Sequence, residues 1–138
     1  MHGDRRTSLT IMLVVALLTL AGVAYWKLFA KPEIGPYGAI AMSDSSLTYG
    51  GAWGYPNPLA AYKRSLAECN KASNTKDCVV KVTLKDNCGA LAISVAHNAS
   101  FLVQGRDQVT ATATAMEQCQ ATGASDCSIH ENICSSNS

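Results

Sequence analysis

Six cysteines, Cys69, Cys78, Cys88, Cys119, Cys127 and Cys134, all fall between residues 69 and 134 of a 138-residue chain. An even set confined to so short a stretch reads as a disulfide framework, and such frameworks persist in oxidising compartments. The length suits one small domain, a size at which cross-links supplement a limited core. Metal binding is not expected. No cysteine pair has the close spacing that puts two thiolates on one ion, and His2, His97 and His130 complete no ligand set. The C-x-x-C motif of redox-active pairs does not occur, and no cofactor is expected.

The N-terminal part has a different character. Leu9 to Trp26 carries no charge, and Arg5, Arg6, Lys27 and Lys31 flank it. Eighteen helical residues rise about 27 Å, near the roughly 30 Å of a bilayer's hydrocarbon core. Extension to Phe29, with Lys27 snorkelling, completes the span, and Tyr25 and Trp26 sit at an aromatic-belt position. Residues 8–29 therefore read as a signal-anchor helix in the lipid bilayer, after a short tail at residues 1–7. Gly22-Val23-Ala24 also makes a passable cleavage site, which would release a secreted domain. Flanking cations are balanced and leave orientation open, so the cysteines decide it: their domain lies outside and the N-terminus faces the cytoplasm. Residues 30–36, with Pro32, Gly35 and Pro36, form a linker that ends the helix.

An internal repeat organises the domain at 37–138. Gly38-Ala-Ile-Ala-Met-Ser43 returns as Gly89-Ala-Leu-Ala-Ile-Ser94, 51 residues later. Cys69, Cys78 and Cys88 are matched by Cys119, Cys127 and Cys134. Each unit (37–88 and 89–134) reads as strand, strand, helix, strand. Pro58 suits a first helical position and Asp107 a cap. Leu59, Tyr62, Leu66 and Cys69 share one expected helix face, and Val109, Ala113, Met116 and Cys119 another. The expected fold is α+β: a tandem ββαβ repeat forming an antiparallel sheet with two helices on one face. In each unit a cysteine ends the helix and another opens the next strand. This favours Cys69–Cys78 and Cys119–Cys127, and leaves Cys88–Cys134 as a staple from repeat to repeat.

Function is less legible. Residues 32–138 hold seven cations and nine anions, and from Gly89 onward one cation faces four anions. Nothing there argues for nucleic acid. Nucleophile-elbow, zincin, P-loop and dinucleotide motifs are all missing from the sequence. His97 near Ser94 and Ser100 fits a turn better than a catalytic pair, and His130-Glu131 fits a surface strand. The segment Tyr49, Trp53, Tyr55, Pro56 and Pro58 gathers aromatic residues and prolines suited to partner contact.

Tyr37-Gly-Ala-Ile-Ala-Met-Ser43, Gly51-Ala-Trp53, the helix ending in Cys69, Cys78-Val-Val80 and Asn87-Cys88-Gly-Ala-Leu-Ala92 together resemble the bacterial domain of unknown function 4189. The likeness runs from Tyr37 to Cys134. It implies a small exported or membrane-anchored bacterial protein, with no catalytic residues to carry over. The expectation is a non-enzymatic interaction domain on the cytoplasmic membrane, facing the periplasm, as an accessory subunit of a larger envelope complex. An immunity-type inhibitor of a toxin or wall-degrading enzyme is the alternative, and an envelope hydrolase a lesser one.

Overall fold

The structure, a computed structural model, describes residues 4–29 and 34–136. The chain divides into two units, each described by itself. The first is helix α1, Asp4–Phe29. Within it Ser8–Tyr25 has a mean hydropathy of 2.2, long and apolar enough to cross a membrane, as a signal sequence also is. Thr19 donates its hydroxyl to the Ala16 carbonyl at 2.9 Å, the way a polar side chain is satisfied inside an apolar helix. Residues 1–3 of the expected tail and 30–33 of the expected linker lie outside the described residues, as do the side chains of Trp26 and Lys27.

The second unit runs β1 (Tyr37–Ser43), β2 (Thr48–Tyr55), α2 (Pro58–Ala72), β3 (Val79–Lys85), β4 (Cys88–Ser94), β5 (Ala99–Gly105), α3 (Gln108–Gln120) and β6 (Ser128–Cys134). This is ββαβ twice over. Helix starts follow the sequence signals. The Asn57 and Asp107 side chains accept from the backbone N–H of Ala60 and Thr110 at 2.8 and 2.7 Å, and Pro58 sits in the first turn.

The expected single sheet is replaced by two antiparallel sheets of three strands, ordered β2-β1-β3 and β5-β4-β6. The reason lies in the central strands, which are buried on both faces. Side chains alternate across a strand, and here size alternates with them. Ile40 and Met42 of β1 pack with Leu84, Leu91, Ile93 and Ile133, so the large residues fill the space between the sheets. Ala41 and Ser43 face the other way, as do Ala90, Ala92 and Ser94. Ala41 packs with Cys69 and Cys78, while Ala90 and Ala92 pack with Ala111, Ala115 and Cys119 of α3. The layers are therefore helix, sheet, sheet, helix, and the two helices lie on opposite outer faces instead of one.

The helix faces need the same correction. The buried stripes are Ala61-Ser65-Cys69 and Ala111-Ala115-Cys119, while Leu59, Tyr62 and Val109 are exposed. Small side chains on both surfaces let each helix lie close to its sheet, and a leucine there would hold it off.

All three expected disulfides form: Cys69–Cys78, Cys88–Cys134 and Cys119–Cys127. Cys88–Cys134 is not a staple between repeats. Cys88 opens β4 and pairs in register with Cys134 at the end of β6, so the bond closes the second sheet on itself. Its counterpart in the first sheet is the register pair Tyr37 and Lys85. Cys88 and Cys134 are thus not equivalents of each other. Apolar packing joins the two sheets, with backbone bonds around the buried Ser135. Its carbonyl accepts from Gly54 N–H at 3.0 Å and its N–H donates to the Asn87 carbonyl at 2.9 Å. Gly54, at φ +73°, is the extra residue in β2 where the register shifts, a conformation that glycine adopts without strain.

Candidate interaction site

Strand β2 forms an edge of the first sheet, and its expected contact residues lie on or beside that edge. Tyr49, Trp53 and Tyr55 line an open groove of about 490 Å³. Its floor is the glycine-rich middle of β2. Arg64, Glu68 and Ala72 of α2 form one wall, and Glu131 of β6 the other. Trp53 is 54% exposed although it is one of the largest apolar side chains present. Pro56 is exposed in the turn before α2 and is not part of the groove lining, and Pro58 opens the helix.

Glu131 lines this groove from β6. Its carboxyl is held above the usual carboxylate range, chiefly because burial disfavours the charge. The Tyr49 hydroxyl is also pushed up, by burial first and then by the Glu131 charge. Arg64, on the groove's far wall, is bound to Glu68 at 2.6 Å. Among the described residues no ion pair reaches Glu131. A half-buried acid without a cation is a cost that a purely structural core has no reason to carry.

The twofold repeat supplies an internal comparison. In the first sheet Ile40 is flanked in register by Gly51 and Val82. In the second, Leu91 is flanked by Leu102 and Glu131. Val82 and Leu102 are apolar and pack the core beneath Ile40 and Met42. The β2–β6 side has glycine where the β3–β5 side has leucine, and glutamate where it has valine. A Cβ added at Gly51 would come within 3.0 Å of Glu131 Oε2, so the missing side chain leaves room for the carboxylate.

The next equivalent pair differs as well. Lys81 and His130 are each the extra residue where the register shifts, a position that re-aims a side chain. Lys81 reaches out to Asp44 at 2.6 Å. His130 meets the Tyr49 ring edge-on, centroids 5.9 Å apart. The site thus joins Tyr49 and Trp53 to His130 and Glu131, two residues that sequence reasoning assigned to a plain surface strand. The signal was present, but the offset between repeats drifts from 51 at Ser43/Ser94 to 49 at Cys78/Cys127, which hides the Val82/Glu131 match.

Other polar groups have structural work. Ser94, fully buried, donates to Asp126 Oδ1 at 2.5 Å and accepts from His97 N–H at 3.2 Å. Ser43 donates to Asp77 Oδ1 at 2.5 Å, the same arrangement in the first repeat. Among the described residues no group of three His, Cys, Asp or Glu side chains is placed to hold a metal.

A family model described as a domain of unknown function (DUF4189) matches residues 37–134, so the chain belongs to that family. No curated protein and no solved structure matches the chain.

Proposed function

We propose that this DUF4189 member is a non-enzymatic interaction domain, an accessory subunit that meets a protein partner of the cell envelope through the β2–β6 groove. Helix α1 serves as a retained signal-anchor in a bacterial cytoplasmic membrane, with the N-terminus in the cytoplasm and the disulfide-bonded domain in the periplasm. Three disulfides fit that compartment, and the uncharged run of α1 fits that anchor.

The observation that carries the reading is Trp53. A tryptophan more than half exposed, on an edge strand beside a groove, contributes little to the fold it belongs to and much to a partner that covers it. Affinity purification of the full chain from mild detergent tests this. A stoichiometric partner is expected with the wild type and lost with Trp53→Ala, the three disulfides staying intact. Recovery of the bare protein from both would overturn the proposal.

A further inference from the structure

Resting on that reading, the groove itself indicates the chemistry of what it binds. Its polar element is Glu131, whose carboxylate takes the space over Gly51 where the other side of the sandwich holds Leu102 and Val82. An apolar pair there would improve the core, so a carboxylate kept at the groove without a cation points to an occupant beside it. Three properties define that occupant. The groove is lined by the aromatic side chains of Tyr49 and Trp53 and by the Glu131 side chain. The nearby cation Arg64 is already held by Glu68. The groove runs along β2, an edge strand that pairs only with β1 among the described strands, and an extended chain can lie beside it before Gly54, whose N–H and carbonyl are already bonded to Ser135 and Gly35.

We propose that the groove seats, beside Glu131, the cationic end of a lysine or arginine side chain, carried by an extended segment of the partner laid along β2. The aromatic side chains suit a cation and its methylene stem, and Glu131, which no ion pair reaches among the described residues, supplies the countercharge. The excess of anions after Gly89 favours the approach of such a segment.

The test uses the full chain in a non-ionic detergent and short blocked peptides of alternating threonine and valine, with a central lysine, arginine or norleucine. Calorimetry should show the lysine and arginine peptides binding about tenfold more tightly than the norleucine peptide, the scale of a desolvated cation–π and charge contact. Glu131→Gln should bring all three to within about twofold of one another. The double variant Gly51→Leu/Glu131→Val, which installs the apolar pair of the second repeat, should keep its disulfides, melt no lower than the wild type and lose the preference for a cation. Equal binding of lysine and norleucine peptides, a preference that survives Glu131→Gln, or no binding by any peptide would overturn this assignment. The broader reading fails separately, if Trp53→Ala leaves partner recovery unchanged.

Discussion

The Lys85 ammonium lies over the ring of Tyr37, 5.8 Å from its centroid, at the register position where the second sheet has the Cys88–Cys134 disulfide. One repeat closes its first strand onto its last with a cation–π contact, and the other does so with a covalent bond. A cation–π contact near the surface contributes about 0.5–1 kcal/mol, while a native disulfide in a small domain contributes about 2–5 kcal/mol. The second sheet is therefore the better secured of the two.

The vacancy in the first sheet can be filled. Tyr37→Cys/Lys85→Cys should form a fourth disulfide across facing strands and stabilise the domain by up to about 4 kcal/mol for a loop of some fifty residues. Thiol alkylation followed by mass measurement, with a thermal melt, checks both parts. Cys88→Ser/Cys134→Ser should have the opposite effect and make the two sheets alike in stability.

The two Ser–Asp pairs should set the acid limit of the fold. Hydrogen bonds from Ser43, Ser45 and Thr75 hold Asp77 far below the usual carboxylate range, and the Ala96 N–H with the Ser94 hydroxyl lowers Asp126. A depressed folded pKa means stability that is fully present above the ordinary value of 3.8 and lost as pH falls through the folded values. Asp77→Asn and Asp126→Asn should each melt below the wild type at neutral pH, and the gap should narrow in acid below pH 3.8. Thermal melts across that range check it.

Glu131 has the opposite sign. Its folded pKa is raised by burial, so the folded state binds the proton more tightly than the unfolded chain does. The charged form weakens the fold above that raised value, and the penalty disappears as pH falls to the ordinary 4.5. Glu131→Gln should melt above the wild type at pH 7, with the two curves converging toward pH 4.5. Tyr49 on β2 and Arg64 and Glu68 on α2 line the same groove, and His130 on β6 lies against the Tyr49 ring.

The helix stripes offer a packing test. Ala115→Leu would push α3 off its sheet and cost about 1–3 kcal/mol, whereas Val109→Ala, on a residue 79% exposed, should change stability by less than about 0.5 kcal/mol. Chemical denaturation measures both.

Element order and sulfur pairing could be read from the chain because their signals are local. Pro58 and Asp107 mark helix starts, and a cysteine at each helix end precedes one at a strand start. Layering could not be read the same way. The run Gly38 to Ser43 is apolar on both faces, and only the alternation of small Ala39 and Ala41 with large Ile40 and Met42 shows that one face meets a helix and the other a second sheet. The helix faces were misjudged for a related reason: bulk marked Leu59 and Val109 as core, when close approach required Ala61 and Ala111. Of the site, Tyr49 and Trp53 were visible as an aromatic cluster. Glu131 became visible only when register placed it opposite Leu91, where its counterpart Val82 stands opposite Ile40.

The most direct measurement is site-specific photo-crosslinking in intact cells, with a benzophenone amino acid replacing Trp53 in one strain and Gln104 in another. These positions are equivalent in the repeat, since Gln104 pairs with Gly89 one residue into β4 and lies on the β3–β5 side. The account predicts a discrete crosslinked partner from position 53 and none from position 104. Equal crosslinking from both positions, or none from position 53, would contradict it.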